Sequence, residues 1–127
     1  AQASLYLVRL AYAAGEIERA LEEARRALAI DERLTEAWEY QGLAADALGD
    51  LEEARRSLEE AIARDPRRAA THNNLGSVYY RLGLYEQAER AFERALELDP
   101  GLPGARDNLD AARTARRQAG GGAPGQP

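Results

Sequence analysis

The side chains that could take part in catalysis are one histidine and several adjacent glutamates. A histidine near a carboxylate can act as a general acid or base, and two facing carboxylates can cleave a glycosidic bond or hold a metal ion. These residues are His72, Glu22 with Glu23, Glu52 with Glu53, and Glu59 with Glu60. The 127-residue chain has no cysteine and no lysine, which excludes thiolate nucleophiles, disulfides and Schiff bases.

Helical spacing explains the glutamates better than catalysis does. Several of them precede an arginine by four residues, a spacing that stabilises a solvated helix by about 0.2 to 0.5 kcal/mol per pair. The predicted pairs are Glu22 with Arg26, Glu52 with Arg56, Glu60 with Arg64, and Glu86 with Arg90. We expect these carboxylates to point outward and His72 to pack against a helix. The chain is therefore predicted not to be an enzyme, and to have no cofactor and no metal site.

The elements that carry these residues recur along the chain at a fixed period. Three segments of equal length superpose when the sequence is shifted on itself: 1–34, 35–68 and 69–102. They share a central glycine: Gly15, Gly49 and Gly83. A period of this length is the signature of a solenoid, in which each unit buries its apolar face against its neighbours.

Each segment is predicted to form a helix hairpin. Apolar residues with helical spacing flank the shared glycine, which suits a left-handed turn at the end of the first helix. Asp50 and Glu53 have the spacing of a capping box at the start of the next helix. Gly42 and Gly76 are expected to face Ala54 and Ala88, so that the two helices of a hairpin approach closely.

These positions resemble the tetratricopeptide repeat family. The third segment matches the family's motif at Leu75, Gly76, Tyr79, Ala88, Phe92, Ala95 and Pro100. The second matches at Trp38, Gly42, Ala54, Ala61 and Pro66, and the first only at Leu7, Ala20 and Ala27. The resemblance implies an all-α, right-handed superhelix of three antiparallel hairpins in a domain over 1–118. A capping helix is expected over about 104–118, followed by a flexible Gly/Pro-rich tail over 119–127.

In this family the first helices of the hairpins line a concave groove, so the resemblance implies a protein or peptide partner bound there. The matching positions here are Leu5, Arg9, Tyr12, Glu36, Glu39, Tyr40, Leu43, Asp46, Asn73, Asn74, Ser77, Tyr80, Arg81 and Asn108. The family's carboxylate clamp for acidic chaperone tails is absent, because Leu5, Tyr40 and Ala70 replace its polar residues. Its asparagine ladder keeps two rungs, Asn74 and Asn108. The acidic residues of the second segment favour a partner with basic residues at its centre.

Charge and hydropathy argue against nucleic acid and membranes as partners. The three segments carry net charges of -1, -4 and -2, without the basic stripe that nucleic acid requires, and no apolar run predicts membrane insertion.

The alternative function is a self-associating or regulatory segment of a larger bacterial protein, such as a transferase, a secretion factor or an envelope-assembly factor. It would associate through the first hairpin, where a charge at Leu5 or Leu7 should prevent dimerisation. Without an initiator Met the chain is expected to be a fragment or a processed product, and it is expected in the cytoplasm or, alternatively, the periplasm.

Overall fold

A computed structural model describes residues 2–121, which form seven α-helices and contain no strand. The helices are α1 (Gln2–Ala13), α2 (Ile17–Ile30), α3 (Thr35–Ala47), α4 (Leu51–Arg64), α5 (Ala69–Arg81), α6 (Tyr85–Leu98) and α7 (Ala105–Gly121). The second helices of the three hairpins begin at Ile17, Leu51 and Tyr85, which are equivalent positions of the three repeated segments. The all-α repeat class predicted from the sequence is therefore confirmed.

The turns within the three hairpins have the predicted geometry. Gly15, Gly49 and Gly83 have φ values of 79°, 86° and 80°, a conformation that side chains with a Cβ rarely adopt. Asp50 accepts a hydrogen bond at Oδ1 from the backbone N–H of Glu53, 3.2 Å away, and so caps α4. The reciprocal half of the capping box does not form, because the Glu53 carboxylate binds Arg25 of α2 instead.

The chain packs into two compact units that divide between Arg67 and Arg68. In the first unit, α1 pairs with α2, α3 pairs with α4, and α3 also packs against α1 and α2. One part of its core joins Leu5, Ala27 and Ala37, and another joins Ala11, Ala20, Leu21 and Ala44. The side chains at these contacts are mostly alanines, so the helices approach closely.

In the second unit, α5 pairs with α6, and α7 covers α6 while also touching α5. Phe92 is buried here beside Leu109 and Ala112, with Tyr79 packed at the edge. The α7 helix extends to Gly121, three residues beyond the predicted limit of 118, so residues 119–121 are helical and the tail prediction fails for them. The rest of the predicted tail, 122–127, lies outside the described residues.

Each helical glycine has a large side chain of the second helix as its nearest neighbour. A Cβ on Gly76 would lie 2.6 Å from the Phe92 ring, and one on Gly42 would lie 2.6 Å from Cγ of Leu58. The glycines therefore make room for a large side chain on the second helix. The predicted approach of Gly42 to Ala54 is also present, because the added Cβ would lie 3.4 Å from the Ala54 carbonyl oxygen. Leu58 and Phe92 occupy equivalent positions, so both hairpins use the same packing.

Candidate functional site

The structure gives most of the candidate catalytic carboxylates a partner on the helix surface. Three predicted pairs form: Glu22 with Arg26, Glu60 with Arg64, and Glu86 with Arg90. Glu52 instead pairs with Arg55, 2.8 Å away and three residues later, so the predicted pairing with Arg56 is wrong. Glu23 was expected to point outward but is buried, because it lies on the apolar face of α2 between Ala20 and Ala27.

Neither the histidine nor the carboxylates assemble a metal site. His72 is half-buried on α5. Within residues 2–121, no group of three or more histidine, aspartate or glutamate side chains is placed to hold a metal ion. None of the helices in this range is both long and apolar enough to cross a membrane.

In the first unit, the predicted binding residues lie on the neighbouring helices α1 and α3, where an ion pair joins them. Arg9 donates from Nε to Oε2 of Glu36 at 2.8 Å and from Nη2 to Oε1 at 2.6 Å. Its hydrogen bonding to Glu36 raises the pKa of Arg9 above the ordinary value. Because the two groups satisfy each other, a partner's charged group would have to compete with this bidentate pair.

Two tyrosines extend this surface along the same pair of helices. The rings of Tyr12 and Tyr40 meet edge to face, with centroids 5.4 Å apart and planes inclined by 65°. Burial, together with the nearby Asp46 carboxylate, raises the pKa of the Tyr12 hydroxyl. Tyr12, Tyr40 and Leu43 are half-buried and offer part of each side chain to solvent.

Two residues predicted for the groove are withdrawn from solvent. Leu5 is 6% exposed, because it points from α1 toward Ala27 of α2 and Ala37 of α3. It belongs to the core and cannot be a contact residue in this structure. Glu39 is 9% exposed, so little of its carboxylate side chain is available to a partner.

In the second unit, most of the predicted residues converge on one pocket of about 210 Å³. It is lined by Ser77, Tyr80 and Arg81 of α5, Phe92 of α6, and Asn108 and Ala111 of α7. The sequence predicted Ser77, Tyr80, Arg81 and Asn108 as binding residues. This volume is below the roughly 300 to 1,000 Å³ of small-molecule sites, so the pocket suits a single inserted side chain.

The walls of this pocket combine an apolar interior with polar groups at the rim. Phe92 is almost fully buried, while Tyr80 is 37% exposed and is held by Tyr85, whose ring lies edge to face at 5.3 Å. Asn108 donates from Nδ2 to Oδ1 of Asn73 at 3.1 Å. A carboxamide has two N–H donors and one carbonyl oxygen, so Asn108 retains capacity for a peptide backbone.

The polar side chains of α5 differ in their relation to this pocket. The Ser77 hydroxyl, in the pocket wall, donates to the Asn73 carbonyl oxygen at 3.3 Å, one helical turn away. Asn74 is half-buried on α5 but does not line the pocket. Phe92 was identified from the sequence only as a position of the repeat motif, and its contribution to the pocket depends on the assembly of α5, α6 and α7.

A larger pocket, of about 580 Å³, lies among α2, α3 and α4 of the first unit and was missed by sequence analysis. It is lined by Arg25, Trp38, Gln41, Glu53, Arg56, Ser57, Glu59 and Glu60. Gln41 donates to the buried Ser57 hydroxyl at 2.7 Å, and Arg25 binds both oxygens of Glu53 at 2.7 and 2.8 Å. The sequence signal was the pair of polar residues, Gln41 and Ser57, at inward-facing positions of α3 and α4.

Comparison with known proteins relates this geometry to a repeat family. A family model described as the tetratricopeptide repeat matches residues 40–103, which are 64 of the 127 residues. No curated protein matches significantly. The solved structure of a variant of the Thermobaculum terrenum O-GlcNAc transferase is 31% identical, with a TM-score of 0.82 over 87% of this chain. The chain spans only 21% of that transferase.

Two further solved structures have the same fold. A crystal structure of MamA is 24% identical, with a TM-score of 0.87, and the match covers 91% of this chain and 67% of that one. The second TPR domain of human RPAP3, in complex with the HSP70 peptide SGPTIEEVD, is 25% identical, with a TM-score of 0.78. That match covers 84% of this chain and 88% of the RPAP3 domain.

Proposed function

Because this chain belongs to the tetratricopeptide repeat family, we propose that it is a non-catalytic scaffold that binds a peptide segment of a partner protein. The observation that carries this proposal is the pocket of about 210 Å³ in the second unit, where four predicted binding residues meet above Phe92. The similar RPAP3 domain is a peptide-bound structure, which supports the same class of function. The pocket would receive one side chain of the peptide.

The chemistry of the pocket favours an apolar anchor flanked by backbone hydrogen bonds. Phe92 and Ala111 supply apolar surface, and burying a Val, Leu, Ile, Phe or Met side chain contributes about 1.5 to 3 kcal/mol. The Asn108 carboxamide at the rim can bond the peptide backbone on either side of that anchor. The ligand proposed is therefore an extended peptide with a branched aliphatic or aromatic side chain.

Acidic chaperone tails are not the proposed ligand. The positions that form the family's carboxylate clamp include Leu5, which is buried, and Arg9, which is bonded to Glu36. The predicted preference for a basic centre relied on Glu36, Glu39 and Asp46. Since Glu36 binds Arg9 and Glu39 is buried, that preference stays a prediction and is not part of the proposed site.

The test is a selection from a displayed library of random peptides on the 127-residue chain, followed by affinity measurements by fluorescence anisotropy. We expect selected peptides to share an apolar residue, and Ala111→Leu, which fills the pocket, to weaken binding at least tenfold. Thr114→Leu is the matched control, because Thr114 is exposed on the same helix and lines no pocket described above. Circular dichroism establishes that each variant folds.

A third variant tests which of the two units holds the peptide site. Leu43→Glu alters the predicted binding surface of the first unit and leaves the pocket of the second unit intact. If Leu43→Glu abolished binding while Ala111→Leu had no effect, the peptide site would belong to the first unit. The absence of any selected peptide would contradict the scaffold function itself.

A second candidate is favoured by the likeness to the O-GlcNAc transferase, of which the matching region is only 21%. In this case the chain is the repeat segment of a larger protein whose activity lies elsewhere. An antibody raised against the chain should then detect, in cells of the source organism, a protein larger than 13.9 kDa. Detection of a band at 13.9 kDa alone would contradict this candidate.

A further inference from the structure

The exposed side of α1 is unusually apolar for a surface helix. Among the described residues there are six exposed large hydrophobic side chains, and three of them lie on this helix: Tyr6, Leu7 and Leu10, which are 61%, 39% and 52% exposed. Ala3 and Ala13 are also exposed there. The surface formed by Ala3, Tyr6, Leu7, Leu10 and Ala13 is called the α1 face below.

The equivalent side of α3, one repeat later in the first unit, is partly buried. Ala37 and Ala44 of α3 lie one repeat period after Ala3 and Leu10, so they occupy equivalent positions. Both are fully buried, Ala37 against Leu5 and Ala27, and Ala44 against Ala11, Ala20 and Leu21. On α3 this side of the helix is therefore the side on which another hairpin packs. On α1 the same side carries Leu10 where α3 has Ala44, and Leu7 where α3 has Gln41.

Charge determines which occupant fits. The α1 sequence contains no acidic residue, and its one basic residue, Arg9, is neutralised by Glu36. Two copies of this uncharged face can meet without repulsion between like charges. The exposed side of α7 carries Arg106, Asp110 and Arg117, so packing it on the α1 face would bury charges without compensation.

We propose that the α1 face is the interface of a two-fold symmetric homodimer, in which α1 of one chain packs against α1 of a second copy. A symmetric contact of this kind closes on itself and does not continue into a filament. A helix of 12 residues is about 18 Å long, which places the interface in the small, weakly associating class. We therefore expect the dimer to associate weakly and reversibly.

Sedimentation velocity of the 127-residue chain, from about 5 to about 500 μM, tests this interface over the range in which small interfaces associate. The mass is expected to rise with concentration from 13.9 kDa toward twice that value. Leu10→Glu should hold the chain as a monomer throughout. Ile30→Glu is the control, since Ile30 is 64% exposed in the same unit but lies on α2, and it should dimerise like the original chain.

A cysteine variant tests the symmetry. The chain has no cysteine, so in Leu10→Cys any disulfide must join two copies. Under mild oxidation we expect a covalent dimer and no larger species, while Ile30→Cys should give little. A chain that stays monomeric at every concentration, equal loss of association in both glutamate variants, or masses that grow beyond the dimer would each overturn the proposal. Peptide binding through the pocket of the second unit is unaffected by any of these outcomes.

Discussion

Asn108 of α7 and Asn73 of α5 are joined side chain to side chain, with Nδ2 of Asn108 3.1 Å from Oδ1 of Asn73. The two residues are 35 positions apart in the sequence, and both are half-buried. Their bond holds the capping helix to the first helix of the last hairpin, at the rim of the proposed peptide pocket. We therefore expect it to link the stability of the second unit to the shape of this pocket.

A double-mutant cycle measures this coupling. Asn73→Ala and Asn108→Ala should each destabilise the chain, and the double variant should lose less than the sum by about 0.5 to 1.5 kcal/mol, the usual net value of a hydrogen bond. Urea unfolding followed by circular dichroism gives the free energies. Additivity to within about 0.3 kcal/mol would show that the bond contributes nothing to stability.

Gly76 should not tolerate an added methyl group, although alanine has a higher helix propensity than glycine. The added Cβ would lie 2.6 Å from the buried Phe92 ring, which would have to shift from its packed position beside Leu109 and Ala112. We expect Gly76→Ala to lower the free energy of unfolding by about 1 to 3 kcal/mol. Gly120→Ala is the matched control on α7, where a Cβ meets nothing within 4 Å and the stability should stay equal or rise. Equal effects of the two substitutions would exclude overpacking as the cause.

Acid should weaken the attachment of α7 to α6. Burial raises the pKa of Glu89, but hydrogen bonds from Arg116 and Arg113 outweigh burial and bring the pKa below the ordinary 4.5. Because the folded pKa is the lower one, the stabilisation is complete above pH 4.5 and is lost as the pH falls through the folded pKa. Arg113 also contacts Glu93 at 3.2 Å, so a second carboxylate shares this cluster.

Urea unfolding at a series of pH values tests whether the stability falls with pH as predicted. Between about pH 5 and pH 3, the unfolding free energy of the original chain should fall more steeply than that of Glu89→Gln. Glu86→Gln is the control, because Glu86 and its partner Arg90 are both well exposed on the same helix. Parallel curves for the original chain and Glu89→Gln would contradict a role for this carboxylate.

Trp38 should report on a contact at the end of α4. The Arg64 guanidinium lies 5.1 Å from the centroid of its ring, and both residues donate to the Glu32 carbonyl oxygen, Trp38 from Nε1 at 2.8 Å and Arg64 from Nε at 2.9 Å. Arg64→Ala should lower the free energy of unfolding by about 0.5 to 1 kcal/mol and shift the fluorescence emission of this single tryptophan. Arg67→Ala, at an exposed position in the same unit, should change neither property. Unchanged emission in Arg64→Ala would mean that the stacking does not persist in solution.

Much of the candidate site could be predicted because the repeat gives equivalent positions equivalent orientations. Ser77, Tyr80, Arg81 and Asn108 were identified in this way and do line one pocket. Leu5 and Glu39 were identified by the same reasoning and are buried. A repeat position gives the direction of a side chain from its own helix, but its exposure depends on how closely the neighbouring helices approach.

Features that arise within a few residues of the chain could be read from the amino-acid order alone. The repeated hairpins, the positive φ of Gly15, Gly49 and Gly83, and the cap at Asp50 follow from local helix and turn preferences, so they were predictable. Three outcomes required the folded chain: Glu53 binds Arg25, Glu23 is buried, and Phe92 lines the pocket of the second unit. These outcomes depend on distances between helices far apart in the sequence, and such distances are set by the packing of whole side chains.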